Sequence, residues 1–250
     1  LDNALFSPDV SINIPRRLNL NNKIIVDSKS HEKLTPKEII AVSSQVGASK
    51  IALELGYEEL KRNYYNFGFT KPISINFPSS AFGYMDIKEK VSDRELASLG
   101  YGYGITISPF QIASAYSVFA NKGEYKDFKL LKDQMITSRK IISDESANNI
   151  LDALEKVVKE GTGKAAEIQG FSEGGKTGTV HKIRKGSGYA EDLYRASFIG
   201  IAPLSDKSLT IFVSIDEPGL NSYSGGAVAA PVFAKIAESS LNYLGYFEDE

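Results

Sequence analysis

The sequence predicts an α/β fold of the α+β type, a mostly antiparallel sheet flanked by helices and joined to a helical lobe. Three observations point there. Apolar residues recur at helical spacing through much of residues 35–160. Three strand-like runs follow, at about 175–183, 195–202 and 208–216. A last amphipathic helix, roughly 228–244, then returns to cover the sheet with Val232, Phe233, Ile236, Ala237 and Leu241.

Residues 6–34 are polar and turn-rich, with Ser7-Pro8-Asp9, the stretch Asn19 to Asn22, and one strand candidate at Ile24-Ile25-Val26. Thr35-Pro36-Lys37-Glu38 is a strong helix start: threonine as N-cap, proline at the first helical position, glutamate at the third. That helix is expected to break around Ser43 to Gly47, resume through Ile51, Leu53 and Leu55, and stop at Gly56. Residues 57–67 read as a short aromatic helix. Residues 68–104 read as loop-rich, punctuated by Pro72, Pro78, Gly83 and Gly100-Tyr101-Gly102-Tyr103-Gly104. Helices follow at 109–121, with Ile112, Ala115, Tyr116 and Phe119 on one face, and at 145–160, with Ile150, Leu151, Leu154, Val157 and Val158. Tyr223 to Gly226 is a turn cluster, and the helical Tyr and Phe residues are expected in the core.

With 250 residues the chain can bury one large core, or two lobes sharing one. A net charge of -2 gives no support for a nucleic-acid surface. The absence of cysteine excludes disulfides and thiol catalysis, and only His31 and His181 are available to a histidine triad or a metal site. No run approaches the ~18 apolar residues of a spanning helix. Neither a metal nor a cofactor is expected.

The chemistry-bearing stretch is Gly174-Gly175-Lys176-Thr177-Gly178-Thr179. Lysine supplies a fixed positive charge for a substrate carboxylate, the threonines supply hydroxyls, and glycine permits close backbone approach. Other glycine-rich stretches carry less. Gly161-Thr162-Gly163-Lys164 copies part of a phosphate loop, but Val158 stands where its first glycine must be, so it reads as a helix cap and turn. Gly100 to Gly104 lacks the strand-then-helix setting of a dinucleotide fingerprint. His181 reads as a surface strand residue that follows the lysine strand.

Six runs, in order, carry a resemblance: Ile39 to Gly56, Leu99 to Gly123, Val157 to Ala165, Gly174 to Thr179, Ser197 to Pro203 and Tyr223 to Phe233. The chain resembles the transpeptidase domain of class B penicillin-binding proteins, most closely those of septal cell-wall synthesis. The resemblance implies the penicillin-binding transpeptidase or serine β-lactamase-like fold, with one transpeptidase domain over 1–250. Within it, 35–160 is expected to be a mainly helical lobe, and 1–34 with 161–250 a sheet-containing region.

The family builds its cleft from an S-x-x-K helix start, an S-x-N loop and a K-T-G strand. Ser43-Ser44-Gln45 stands at the second and Lys176-Thr177-Gly178 at the third. The first is expected upstream of Leu1, the opening residues resembling the tail of the helix that carries it, which makes the chain an N-terminally truncated fragment unable to acylate itself. The one literal S-x-x-K, Ser30-His31-Glu32-Lys33, lies in a polar turn thirteen residues before Ser43 and is rejected. Gln45 departs from the family's asparagine by one methylene.

By resemblance, an upstream serine attacks the D-Ala-D-Ala peptide of a stem pentapeptide and forms an acyl-enzyme, which an amine from a neighbouring stem resolves. Ser43 relays the proton, Gln45 positions the donor and Lys176 holds the site positive. Thr177, Gly178 and Thr179 bind substrate, and the Thr179 N–H supplies half of an oxyanion hole. The implied partners are stem peptides, β-lactams and the glycosyltransferases of division or elongation. The implied place is the outer face of the bacterial cytoplasmic membrane, reached through an anchor outside this chain. The alternative is a relative without turnover, a non-catalytic module that binds peptidoglycan peptide or serves as a scaffold of the cell-wall machinery.

Overall fold

A computed structural model describes residues 2, 5–20, 23–73, 81–184, 188–205, 207–219 and 222–246. Leu1, Asn3, Ala4, Asn21, Asn22 and Pro78, each part of an expectation above, lie outside the described residues. The chain divides into two compact units, Leu1–Ile150 and Leu151–Glu250. The boundary falls inside one helix, α6 (Asp144–Lys159), numbered here in chain order.

The first unit opens with four short strands, β1 (Ile12–Asn13), β2 (Leu18–Leu20), β3 (Lys23–Ile25) and β4 (Lys33–Leu34). β1 pairs with β4 and β2 with β3, both antiparallel. Helices α1 (Pro36–Val42), α2 (Gln45–Leu55) and α3 (Tyr57–Asn66) follow. The Thr35 hydroxyl accepts from the Glu38 N–H while the Glu38 carboxylate accepts from the Thr35 N–H at 2.8 Å, so two orphan donors are satisfied reciprocally. The break between α1 and α2 is only Ser43 and Ser44, shorter than the Ser43 to Gly47 interruption expected. Ser43 adopts the left-handed conformation (φ 61°) and Ser44 at once caps α2 by accepting from the Gly47 N–H. Ile14, Ile25, Leu34, Ile39, Val46 and Ala97 share the core beneath.

Residues 68–104 hold more regular structure than their glycines and prolines suggested. β5 (Tyr84–Met85) pairs with β6 (Ile105–Thr106), and α4 (Asp93–Gly100) lies between them in sequence. Ser92 and Glu95 form a second reciprocal cap. A third begins α5 (Pro109–Ala120), where Ser108 and Gln111 exchange the same bonds. The buried Gln111 amide does further work. Its oxygen also accepts from the Gly83 N–H at 2.6 Å, and its nitrogen donates to the carbonyls of Gly68, Phe69 and Lys71. A buried amide with every group occupied ties both loops to one helix turn. β7 (Glu124–Lys126) and β8 (Ser138–Lys140) form a fourth small ladder.

The second unit is a three-stranded antiparallel sheet in the order β11-β10-β9, built from β9 (Gly174–Arg184), β10 (Gly188–Ala202) and β11 (Leu209–Asp216). A π turn, Gly225–Ala229, leads into α7 (Ala230–Leu244). α7 buries Phe233, Ala237 and Leu241, one turn apart, against the sheet, while Val232 and Ile236 stay exposed, a narrower apolar stripe than the sequence suggested. Phe198 of β10 and Phe233 are fully buried with ring centroids 4.9 Å apart. Each such ring contributes about 1.5–3 kcal/mol by leaving water. Among the described residues no helix is long and apolar enough to cross a membrane.

Candidate functional site

β9 is an outer strand: one edge pairs with β10, and the sheet order places no described strand on the other. Lys176, Thr177, Gly178 and Thr179 follow one another along it, opposite Ile199, Phe198, Ser197 and Ala196 of β10. Lys176 donates to the Thr177 carbonyl at 3.2 Å, and burial pulls its ammonium down to about 8. An ammonium so desolvated gains more from an anionic partner than one in bulk water does.

The two threonine hydroxyls are held differently. Thr177 Oγ1 lies 2.8 Å from Thr162 Oγ1, in the turn after α6. Thr179 Oγ1 accepts from the Gly225 N–H at 3.0 Å, at the start of the π turn. A hydroxyl that accepts there keeps its own proton to donate elsewhere.

The glycines of the strand answer to packing inside the protein. A Cβ at Gly174 would meet the α6 backbone at Glu155, one at Gly175 the Phe198 ring at 2.4 Å, and one at Gly178 the Ser197 hydroxyl at 2.5 Å. Gly225 is tighter still, since its Cβ would lie 2.2 Å from the Ser197 carbonyl oxygen and 2.5 Å from that of Gly178. The π turn therefore rests backbone on backbone against the lysine strand. The close approach observed at these glycines is the protein's own.

Ser43 and Gln45 belong to the first unit. Both are exposed, with Ser44 between them only 3% exposed. Ser44 donates its hydroxyl to Asp27 Oδ2 at 2.6 Å, and Asp27 Oδ1 accepts from the Val46 N–H at 3.0 Å. A carboxylate at the first turn of α2 also complements the helix dipole. The buried middle residue anchors the segment, and the two outer ones face solvent. Ser30 lies in the segment between β3 and β4, not at a helix start.

A model of the penicillin-binding protein transpeptidase domain matches residues 1–238. The chain belongs to that family.

Curated relatives include the probable peptidoglycan D,D-transpeptidase PbpC of Pseudomonas aeruginosa, 35% identical over 232 residues, which are 92% of this chain and 41% of that protein. The peptidoglycan D,D-transpeptidase FtsI of Buchnera aphidicola from Schizaphis graminum is 36% identical over 222 residues, 88% of this chain and 39% of that one. Stage V sporulation protein D of Bacillus subtilis is 35% identical over 228 residues, 86% and 35% respectively. The chain thus spans about two-fifths of the length of the relatives it matches. Among solved structures, the transpeptidase domain of penicillin-binding protein 3 from Burkholderia pseudomallei superposes with a TM-score of 0.91 at 33% identity, covering 100% of this chain and 76% of that one. The penicillin-binding fold and the class B resemblance read from the sequence both hold.

Against this penicillin-binding transpeptidase domain, residue-level reading missed three groups. Asp27 stands seventeen residues before Ser44 with no local signal joining them. Thr162 was visible only as part of a cap-and-turn, which it is, and its hydroxyl reaches Thr177 only in the folded unit. Ser224 caps the π turn by accepting from the Ala227 N–H, which holds Gly225 in place for Thr179. His181 sits on β9 with Nδ1 2.8 Å from the Ala190 carbonyl and its ring against Tyr194.

Proposed function

We propose that the protein is a serine-type peptidoglycan D,D-transpeptidase that cross-links stem peptides through an acyl-enzyme and is blocked there by β-lactams. The observation that carries the reading is Lys176, a desolvated cation on an outer strand that continues into two threonines, Thr177 and Thr179, in a family whose relatives are named for this activity. A donor peptide laid along the free edge of β9 gains backbone hydrogen bonds as an added strand. Its terminal carboxylate meets Thr177 and Thr179 near the Lys176 charge, with Gly178 in the same edge. The Thr179 N–H contributes to the oxyanion hole, worth a few kcal/mol in the transition state.

In this reading Ser43 passes the proton to the leaving amine and Gln45 holds the donor's peptide carbonyl. The nucleophilic serine and its lysine come from an S-x-x-K segment outside these 250 residues. The protein acts on the outer side of the cytoplasmic membrane, with a glycosyltransferase partner in septal wall synthesis. Residues 35–160 serve as the helical lobe of the domain, and 1–34 with 161–250 as its sheet-bearing part. Binding without turnover is the second reading, favoured by one observation, Gln45 in place of asparagine.

Intact-protein mass after incubation with a penicillin separates the two. The natural full-length protein should gain one adduct and the 250 residues alone none. An unmodified full-length protein would leave the binding module as the better account.

A further inference from the structure

β1–β4 and β2–β3 are two stretches of one interrupted hairpin. Residues 14–17 link β1 to β2 on the way out, and residues 26–32 link β3 to β4 on the way back. Because the ladders on either side are antiparallel, the two linking segments stand opposite each other. Between them is a cavity of about 290 Å³. Arg16 and Arg17 line it from the outgoing segment, Lys29 and His31 from the returning one. The hydroxyl-bearing Ser28 and Ser30 line it too.

One carboxylate, Asp27, shares the cavity wall, but its two oxygens are engaged by the Ser44 hydroxyl and the Val46 N–H. Among the described residues no ion pair joins Arg16, Arg17 or Lys29 to a carboxylate. A cavity of this volume is about one Debye length (~8 Å) across, so salt screens these cations from one another only in part. Three permanent cations against one carboxylate leave an excess of two positive charges, matched by a dianion.

We propose that this cavity is an oxyanion-binding site for a doubly charged group of the phosphate or dicarboxylate class. Guanidinium forks bind either class through paired hydrogen bonds, and serine hydroxyls supply further donors. Asp27 is the common wall between this cavity and the segment carrying Ser43 and Gln45, so an anion held here lies next to the group that anchors that segment. The site does not depend on the transpeptidase reading.

Isothermal titration calorimetry with inorganic phosphate and, separately, glutarate tests it, with ionic strength held constant by sodium chloride. Saturable one-site binding is expected. It should weaken about tenfold or more in R16A and in R17A, and comparably in K29A on the opposite segment. All three positions are exposed, so the fold should survive, which circular dichroism checks. K132A, an exposed lysine elsewhere in the unit, should bind as the parent does. Saturation by phosphate alone assigns the phosphate class, and by glutarate alone the dicarboxylate class. No saturable heat with either, or an equal loss in K132A, overturns the proposal.

Discussion

The Asp27 carboxylate holds the Ser44 hydroxyl at 2.6 Å, and through it the exposed Ser43 and Gln45 on either side. Removing that carboxylate leaves a buried hydroxyl and a helix-terminal N–H without their acceptor. Asp27→Ala should therefore cost about 1–3 kcal/mol. Asp27→Asn, which keeps one carbonyl oxygen, should cost less. Urea unfolding orders the two variants; equal midpoints for D27A and the parent would show that the bonds contribute nothing net.

Gly225→Ala should be among the most damaging small changes in the second unit. Its new methyl would meet two backbone carbonyls that no rotamer can move, so the π turn must lift from β9 at a cost of at least about 1–3 kcal/mol. Gly219→Ala is the control: nothing lies within 4 Å of that Cβ position. If thermal melts show the two variants equally stable, the backbone-on-backbone contact is not what holds the turn.

Glu173, one residue before β9, is 6% exposed and accepts a 3.3 Å bond from the Ile168 N–H. Burial pushes its carboxyl up to about 7, with Glu167 and Glu155 adding repulsion and Lys159 opposing it. The folded state therefore binds a proton that the unfolded state, near 4.5, has released. Stability should be fully present below about pH 4.5 and fall as pH rises through 7. Denaturation midpoints at pH 5 and pH 8 measure the slope. Glu173→Gln, a mimic of the protonated form, should flatten it, and an unchanged slope would assign the effect to another group.

Lys176 loses its charge as pH rises through about 8. If it supplies the positive field for a donor carboxylate, the penicillin acylation rate of the full-length protein should decline across that range. Lys176→Arg, charged throughout, should be slower at neutral pH but level between pH 7 and 9. A parent profile already level there would remove Lys176 from this role.

Gln45 gives the most direct check on turnover. Restoring the shorter amide with Gln45→Asn should raise the acylation rate several-fold if the extra methylene displaces the group, since a misplaced contact costs up to about 100-fold. Because the residue is exposed at the first position of α2, stability should change by less than about 0.5 kcal/mol. A lower rate in Q45N would mean that the site is built around glutamine.

Much of the fold was legible because its signals are local. Thr35 to Glu38 announced α1 through a cap that spans four residues, and α7 announced itself by period. α4 carries the same signature in Ser92-Asp93-Arg94-Glu95, inside a stretch whose glycines and prolines, confined to its two ends, read as loop. The break at Ser43 was visible, but its length was not: Ser44 restarts the helix at once, and the group it holds lies on another segment.

The sequence by itself determined the family, the three strands, the starts of α1 and α5 and the position of the lysine strand, since propensity, caps and ordered motifs act within a few residues. Only the tertiary structure decided what holds those motifs. Asp27 under Ser44, Thr162 against Thr177, and Gly225 seated on Gly178 are contacts between residues 15 to 47 apart in the chain. Such partners are chosen by packing and by the need to satisfy buried polar groups, and no local pattern encodes that choice.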